Sequence, residues 1–373
     1  MNFTNVLKDD EKIIFGLREL YSGYGYSQYK MNKFEEYDLY AKNKDFLVSD
    51  SVITFTDFGG KLMALKPDVT LSIIKNREDD PDALQKVYYH ENVYRVSGST
   101  KAFREILQVG LECVGDIDSY CIYEVLTLAA KSLYMISDDC MLDISHLGAV
   151  SDAIDAIGCS AASADKLLKC VGEKNIHGIS DICRSEGIDE QKADFLKALI
   201  STYGSPDTVA PKLELLSNKY NSDALRELIS ICRSLKACGF AEKMHIDFSV
   251  INDMSYYNGI VFKGFIKGVP TGILSGGQYD KLMEKMGRKS KALGFAVYLD
   301  MLERLWDNAG QYDVDAVLLY GEDTDISLLD AKISGLRAKG ISVTAQKVVP
   351  KNLRYRKLLT IKNGEVVSLE NNA

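Results

Sequence analysis

Residues 88–115 constrain the fold most, because they have the pattern of one long antiparallel hairpin. Residues 96–103 carry the serine, glycine and threonine cluster of a turn between the two arms. In the second arm apolar side chains occupy one face, whereas Gln108, Gly110 and Glu112 occupy the other. Glycine inside a strand often marks close approach by a ligand or another backbone. Gln108 and Glu112 therefore either flank a small polar ligand that lies over Gly110 or belong to a solvated face of the sheet.

The chain before this hairpin predicts a helix, a shorter hairpin and a second helix. An apolar stripe at helical spacing predicts an amphipathic helix over residues 9–21. Apolar residues on both sides of a glycine pair predict the shorter hairpin at residues 51–65. Pro67 then fixes the entry to the second helix, which Asp68 can cap. Asp68 and Thr70 also stand at the end of an apolar strand. They therefore belong either to a binding loop or to a plain helix cap.

After the central hairpin the chain becomes helical. The apolar spacing of residues 119–136 predicts a buried helix. Residues 149–240 keep helical spacing throughout, with short turns at glycines, and contain no recognisable catalytic motif. We interpret this stretch as an inserted helical subdomain.

Strands return in the last part of the core. Alternation predicts one strand at residues 245–250 and another over residues 252–266. Within the second, Tyr256 and Tyr257 are expected on opposite faces, one in the core and the other toward core packing or a pocket. A further strand is expected to end in the double glycine at residues 276–277, where a turn would expose backbone amides to an anion.

Residues 312–373 are expected to form a small separate unit of β-α-β type. Its end is basic, and we interpret that end as an exposed, solvated strand; the basic residues are Lys351, Arg354, Arg356, Lys357 and Lys362. The predicted domains are therefore a core over residues 1–311, with the insertion at about 149–240, and a C-terminal unit over residues 312–373. The fold class is α+β, with a mixed, mostly antiparallel sheet flanked by helices.

Composition excludes several classes of function. A net charge of −8 disfavours a broad nucleic-acid-binding surface. The eight cysteines and four histidines show no metal-ligand spacing, so no metal is expected and the thiols are expected to be mostly buried and reduced. No glycine-rich nucleotide motif indicates a cofactor. No segment approaches the ~18 apolar residues of a membrane span, so we expect a cytoplasmic protein without membrane contacts.

Five sequence stretches resemble the catalytic core of histidyl-tRNA synthetases, and still more their paralogues, the regulatory subunits of ATP phosphoribosyltransferase. The resemblance runs from about residue 7 to residue 305 and includes a class II motif 2 hairpin with Arg95 at the place of its arginine. The stretches are FTDFGGKLMALKPDVT (55–70), QVGLECVG (108–115), MSYYNGIVF (254–262), GGQYD (276–280) and GFAVYLDM (294–301). Lys66 stands where the first pattern has arginine. The resemblance implies a class II aminoacyl-tRNA synthetase-like core.

The departures from the synthetase pattern remove positive charge. Asn252, Gln278 and Met301 stand where synthetases have arginines, and Val96 and Ser97 replace the glutamate that follows the motif 2 arginine. The motif 1 proline expected near residue 32 is also missing. Activation of an amino acid by ATP builds negative charge, which preorganised cations stabilise, and losing one such donor typically costs ~10²–10³-fold in rate. The resemblance therefore implies that adenylation is lost.

The residues that bind the amino acid in the synthetase pattern are retained in this sequence. By the resemblance, Asp68, Thr70 and Gln108 hold the α-ammonium group of histidine. Glu112 and Tyr257 address its imidazole ring, with Tyr256 beside them. The chemistry agrees, because one carboxylate pairs with an ammonium group and a second accepts a ring N–H. With Asn252 in place of an arginine, the resemblance names no partner for the ligand's carboxylate.

The resemblance implies a non-catalytic subunit that activates a short-form ATP phosphoribosyltransferase and relays feedback by histidine in histidine biosynthesis. The implied partners are that catalytic subunit, L-histidine as effector, and a second copy of the chain within a hetero-oligomer. An active histidyl-tRNA synthetase and a free-standing histidine sensor are the alternatives. The unit at 312–373 is short for an anticodon-binding domain, which it resembles only in its first β-α-β.

Overall fold

A computed structural model of the chain describes residues 7–44, 47, 52–80, 82–97, 100–251, 256–302 and 312–372. The chain divides into two compact units, one that ends at Leu302 and one that contains residues 312–372. No helix in the described ranges is long and apolar enough to cross a membrane. All eight cysteines are free thiols, and six of them are buried.

The first unit alternates strands and helices along the chain. Its described strands are β1 (Ser27–Gln28), β2 (Phe34–Glu36), β3 (Thr54–Thr56), β4 (Leu62–Leu65), β5 (Gln85–Val96), β6 (Phe103–Gly115), β7 (Cys140–His146), β8 (Tyr203–Gly204), β9 (Met244–Asp247), β10 (Ile260–Ile266), β11 (Leu274–Gln278) and β12 (Lys291–Tyr298). Its described helices are α1 (Asp9–Gly23), α2 (Tyr37–Lys42), α3 (Thr70–Asn76), α4 (Ser119–Ile136), α5 (Leu147–Asp155), α6 (Ala161–Gly172), α7 (Ile176–Ser185), α8 (Asp194–Ile200), α9 (Pro206–Tyr220), α10 (Asp223–Leu235) and α11 (Asp280–Lys285).

A nine-stranded sheet forms the centre of this unit, in the order β1-β5-β6-β12-β11-β10-β7-β9-β8. Within the described part of the chain, only the pairs β1–β5 and β7–β9 of this sheet are parallel, which confirms the predicted mixed and mostly antiparallel sheet. The predicted central hairpin is confirmed as β5 and β6. The shorter predicted hairpin is confirmed as β3 and β4, which join β2 in a separate three-stranded sheet.

Strand β6 has no solvated face beyond its first five residues. From Gln108 to Gly115 every residue is buried, and Gln108 and Glu112 are only 3% and 2% exposed. The alternative of a solvated polar face is therefore wrong. The reason is that other parts of the chain cover this face, since the hydroxyl groups of Thr70 and Tyr279 both donate hydrogen bonds to the Glu112 carboxylate.

The predicted helix at residues 119–136 is confirmed as α4. Asp118 caps it, because its Oδ1 accepts the Cys121 backbone N–H at 2.9 Å. The helix packs on β7 and β10 and is buried along most of its length. The hydroxyl of Ser132 in α4 lies 2.9 Å from that of Tyr21 in α1, so the two helices share a buried hydrogen bond.

The insertion is helical, as predicted, with one exception. Tyr203 and Gly204 form β8, which pairs with Asp247 and Ile246 of β9. A turn was expected at Gly204; the structure adds a two-residue strand there, by which the chain between α8 and α9 covers the edge of β9. Strand β9 itself ends at Asp247, before the predicted end at residue 250, because the Asp247 side chain accepts the Ser249 N–H at 2.9 Å and turns the chain.

The double glycine at Gly276 and Gly277 is not a turn. Both residues lie inside β11, paired with β10 on one side and β12 on the other. The predicted turn that would expose their backbone amides to an anion is therefore wrong. Glycine is required there for a different reason. A Cβ at Gly276 would stand 2.4 Å from the Cβ of Phe295 and 2.5 Å from the Gly294 carbonyl oxygen.

The second unit contains β13 (Val314–Leu319), α12 (Ile326–Ala338), β14 (Val343–Gln346), β15 (Tyr355–Lys362) and β16 (Glu365–Asn371). Its sheet has the order β14-β13-β15-β16, and β13, α12 and β14 form the predicted β-α-β motif with parallel strands. The five basic residues of its C-terminal end are all exposed, as expected for a solvated strand region.

Candidate functional site

One cavity of the first unit is lined by every residue that the sequence proposes for the site. These are Asp68, Thr70, Arg95, Gln108, Glu112, Tyr256 and Tyr257. The remaining lining residues are Tyr89, Ser275, Tyr279, Gly294, Phe295, Ala296 and Tyr298. The polar face of β6, the segment that leads into α3 and the chain before β10 thus meet at a single place.

Glu112 lies at the bottom of this cavity with both carboxylate oxygens hydrogen-bonded. Oε1 accepts from the Thr70 hydroxyl at 2.8 Å, and Oε2 accepts from the Tyr279 hydroxyl at 2.6 Å. Burial raises the pKa of Glu112 to about 8, although these two hydrogen bonds act in the opposite direction. The nearby carboxylate of Asp68 raises the pKa of Glu112 further.

Asp68 accepts a hydrogen bond from the first turn of α3 and also lines the cavity. Its Oδ1 accepts the Leu71 N–H at 2.9 Å in the first turn of α3. Burial raises the pKa of Asp68, while this hydrogen bond and the positive charge of Arg95 lower it. Arg95 is held by a hydrogen bond of 3.1 Å from its Nε to the Pro67 carbonyl oxygen.

The prediction that Tyr256 and Tyr257 lie on opposite faces of a strand is wrong. Strand β10 begins only at Ile260, and both tyrosines precede it and line the cavity, with ring centroids 4.5 Å apart. The cause is Asn258, which binds the segment to the start of α11. Its side chain donates to Asp280 at 3.1 Å and accepts the Asp280 N–H at 2.8 Å. These bonds hold the chain in a turn, where strand alternation does not apply.

The expected ligand position over Gly110 is taken by a side chain of the protein. Gly110 pairs with Tyr89 across β5 and β6, and a Cβ at Gly110 would stand 2.5 Å from the Tyr89 hydroxyl. It would also stand 2.3 Å from the Phe295 carbonyl oxygen. Gly110 therefore makes room for Tyr89 and β12, and the cavity opens beside this tyrosine.

Sequence reasoning missed the aromatic wall of the cavity. Tyr89 and Tyr279 are 2% and 1% exposed, and Tyr298 lies opposite Gln108 in the register of β12 and β6. A tyrosine in a strand carries no signal that separates core packing from a cavity wall. The one available clue was Tyr279 itself, because it sits within the GGQYD stretch that carries the family resemblance.

The positions that lack arginine contribute little to the cavity. Gln278 points away from it, and its Oε1 accepts the Ile260 N–H at 2.7 Å. Met301 is half-buried and contacts the Thr271 hydroxyl through its sulfur at 3.5 Å. Asn252 lies outside the described residues. Lys66 is fully buried and forms an ion pair with Glu91. Among the described residues that line the cavity, Arg95 is the only lysine or arginine.

This combination of charged and polar groups suits a small zwitterionic ligand. Two carboxylates, one guanidinium group and several hydroxyl groups converge in a largely buried space. Carboxylates pair with an ammonium group or a ring N–H, and a guanidinium group pairs with a carboxylate. One guanidinium group is a poor match for a triphosphate, whose charge is usually met by several cations.

Comparisons with known proteins agree with this fold. The family model for histidyl-tRNA synthetase matches residues 6–302. The ATP phosphoribosyltransferase regulatory subunit of Clostridium kluyveri is 26% identical over 335 residues, which cover 87% of this chain and 86% of that protein. The protein of the same description from Alkaliphilus metalliredigens is 28% identical over 290 residues, covering 75% and 72% of the two chains.

Solved structures show the same architecture. A Bacillus halodurans protein described as an ATP phosphoribosyltransferase regulatory subunit/histidyl-tRNA synthetase superposes with a TM-score of 0.75 at 23% identity, covering 93% of this chain and 92% of that one. A histidyl-tRNA synthetase from Nostoc gives 0.72 at 16% identity, covering 96% and 92%. The HisG:HisZ ATP phosphoribosyltransferase complex of Thermotoga maritima gives 0.61 at 20% identity, covering 77% and 96%. The predicted class II synthetase-like core is thereby confirmed.

Proposed function

The chain belongs to the histidyl-tRNA synthetase family, and on this premise we propose that it is the regulatory subunit of ATP phosphoribosyltransferase. In this role it activates a short-form catalytic subunit and mediates histidine feedback in the first step of histidine biosynthesis. The observation that carries the proposal is the cavity at Glu112. It keeps two carboxylates for an amino acid, whereas Arg95 is the only lysine or arginine among its described lining residues.

The relatives support the regulatory role. Both curated relatives compared above are described as ATP phosphoribosyltransferase regulatory subunits, and each match covers about three quarters of this chain or more. The Thermotoga maritima structure contains such a subunit in complex with its phosphoribosyltransferase partner. We take the catalytic subunit as the partner of this chain on the same grounds. A homodimer within the hetero-oligomer follows from the two-fold assembly of class II cores.

We further propose that the chain does not catalyse adenylation. Two arginine positions of the synthetase pattern carry Gln278, turned toward the Ile260 amide, and Met301, in contact with Thr271. Neither side chain carries the positive charge that an arginine would bring to a phosphate. Loss of one preorganised donor typically costs ~10²–10³-fold in rate, so the combined loss leaves no useful reaction.

L-Histidine is the effector that fits the cavity best. In this proposal Asp68, Thr70 and Gln108 bind its ammonium group, and Glu112 and Tyr257 bind its ring beside Tyr256. Arg95 meets its carboxylate, because it is the only cationic side chain among the described lining residues. Buried polar groups discriminate against ligands that leave them unpaired, so such a site can respond to one metabolite. Feedback then requires that histidine affinity differ between two states of the assembly.

The test is reconstitution with a short-form catalytic subunit. We expect co-elution, increased phosphoribosyltransferase turnover, and loss of the increase on adding histidine. Glu112→Ala is the control variant, because it should preserve the stimulation and weaken the histidine response. Failure to co-elute or to stimulate turnover would favour the free-standing sensor. Exchange of pyrophosphate into ATP by the pure chain with histidine would favour an active synthetase.

A further inference from the structure

The cavity has a deep end and an outer end along β6 and β12. Gly294 lies opposite Glu112 in the register of these strands, and Tyr298 lies opposite Gln108. Because alternate residues of a strand point to the same face, both pairs line the cavity, about 13 Å apart along the strands. Glu112 is 2% exposed, whereas Tyr298 is half-buried and is the last residue of β12. Tyr298 therefore stands at the outer end.

The face of the sheet that continues beyond Tyr298 leads to solvent. Arg104 lies on the same face of β6 as Gln108, four residues nearer the turn of the hairpin, and its side chain is exposed. It forms an ion pair of 3.1 Å with Asp300, which follows Tyr298 by two residues. The phenol group of Tyr298 thus separates the cavity from an exposed part of the surface.

Arg95, the only lysine or arginine among the described lining residues, also lies at the outer end. It pairs with Arg104 in the register of β5 and β6, beyond the level of Tyr298. Its side chain reaches back to line the cavity, and its Nε donates to the Pro67 carbonyl oxygen at 3.1 Å. Burial raises the pKa of the Tyr298 phenol and the positive charge of Arg95 lowers it, because the two groups are close. A ligand carboxylate that pairs with Arg95 therefore lies beside Tyr298.

The cavity is small and closed at its deep end. Its volume is ≈ 70 Å³. A buried water needs roughly 10–15 Å³ on the same measure, so the space is that of about five to seven waters, enough for one free amino acid. Glu112 is fixed at the deep end by hydrogen bonds from the hydroxyl groups of Thr70 and Tyr279. A longer ligand would therefore have to extend past the outer end, where Tyr298 lies.

Resting on the proposed function, we propose that Tyr298 determines the length of the ligand that the site accepts. With the α-carboxylate of an amino acid at Arg95, the Tyr298 phenol occupies the space into which a group attached to that carboxylate would extend. The site therefore takes free α-amino acids and rejects an amino acid whose carboxylate is joined to a further residue or to a nucleotide. Such a site responds to free histidine and does not respond to histidine in peptides or in activated esters.

Calorimetry with the full chain and three ligands tests this inference. L-Histidine is the reference, L-histidylglycine is longer, and L-histidinamide loses the negative charge without becoming longer. We expect the unaltered chain to bind L-histidylglycine at least about a hundredfold more weakly than L-histidine. Tyr298→Ala should reduce that ratio at least about tenfold and leave the ratio for L-histidinamide unchanged. Tyr298→Phe, which keeps the ring, is the matched control and should retain both ratios.

L-Histidylglycine that binds the unaltered chain as tightly as L-histidine would overturn the inference, and so would an unchanged ratio in Tyr298→Ala. Thermal unfolding shows whether each variant is folded. Tyr298→Val, whose β-branched side chain suits a strand, takes the place of Tyr298→Ala where the alanine variant does not fold. Absence of L-histidine binding to the unaltered chain at millimolar concentration would instead refute the histidine assignment of the proposed function, on which the inference rests.

Discussion

Gly294 and Glu112 lie opposite each other on β12 and β6, and the carboxylate occupies the space that a side chain at position 294 would need. A Cβ built on Gly294 would stand 1.8 Å from Oε2 of Glu112 and 2.5 Å from the Leu111 carbonyl oxygen. The position of the buried acid thus depends on a glycine nearly two hundred residues away in the sequence.

Gly294→Ala should displace Glu112 and weaken histidine binding by at least about tenfold. Because the clash includes backbone, we also expect a loss of about 1–3 kcal/mol in the free energy of unfolding. Calorimetry and urea denaturation measure the two effects. Gly23→Ala is the matched control, since nothing lies within 4 Å of a Cβ at that position. Unchanged histidine affinity in Gly294→Ala would show that the acid is not a ligand contact.

Tyr279→Phe should weaken histidine binding by about 1–2 kcal/mol, because Oε2 of Glu112 loses its donor at 2.6 Å. Calorimetry with histidine is the measurement. Tyr21→Phe is the control for a lost buried hydroxyl, because the Tyr21 hydroxyl lies 2.9 Å from that of Ser132, away from the cavity. The control should lose stability but bind histidine normally. Equal losses of affinity in both variants would contradict a specific role for Tyr279.

Glu112→Gln should change how stability depends on pH. The pKa of Glu112 is about 8 in the folded chain and near its ordinary value of about 4.5 when unfolded. Between these values the folded state binds a proton that the unfolded state releases, so the stability of the unaltered chain falls as pH rises. One proton corresponds to a slope of about 1.4 kcal/mol per pH unit.

The Glu112→Gln variant lacks this slope. Its free energy of unfolding, relative to that of the unaltered chain, should therefore increase from pH 5 to pH 8. Urea denaturation without histidine measures it, and Glu242→Gln at an exposed position serves as the control. Parallel stability curves for the unaltered chain and Glu112→Gln would mean that Glu112 is ionised in the folded chain without histidine.

Arg95→Gln should reduce the preference for histidine over histamine, which lacks the carboxylate. A charge-assisted hydrogen bond contributes about 1.5–3 kcal/mol, so we expect the unaltered chain to prefer histidine by roughly ten- to a hundredfold. Competition calorimetry with both ligands gives the ratio. Arg104→Gln removes an exposed guanidinium group paired with Asp300 at 3.1 Å and is the control. A preference that survives Arg95→Gln would place the carboxylate elsewhere.

The pure chain should show no histidine-dependent exchange of pyrophosphate into ATP. The double variant Gln278→Arg with Met301→Arg should also remain inactive, because two cations do not restore the missing motif 2 glutamate. An active histidyl-tRNA synthetase assayed in parallel shows that the conditions support exchange. Measurable exchange by the unaltered chain would refute its non-catalytic role.

The parts of the fold that sequence patterns predicted are those governed by local periodicity. Helix α4 and the hairpin of β5 and β6 follow from apolar spacing and a turn cluster, and both are present. The strand predicted at Tyr256 and Tyr257 is wrong. The conformation of this segment is determined by hydrogen bonds between Asn258 and Asp280, which come together only in the folded chain. Local alternation cannot express such a contact.

The polar residues that line the cavity could be predicted from the sequence, whereas its aromatic residues could not. Glutamine and glutamate on the inner face of a strand stand out because burial of unpaired polar groups is costly. Gly110 was a correct sign of close approach, but what approaches is Tyr89, and that depends on the register between β5 and β6. Register is set by the whole hairpin, so a single glycine cannot reveal its neighbour.

The side chain of Gln278 has a structural role in the central sheet. Its oxygen holds the amide that begins β10, at 2.7 Å, where the synthetase pattern has an arginine. Gln278→Arg would leave that buried amide without its acceptor and would disturb the central sheet at the start of β10. The side chain at position 278 therefore supports the central sheet, and an arginine there would be tolerated only together with a new acceptor for the Ile260 amide.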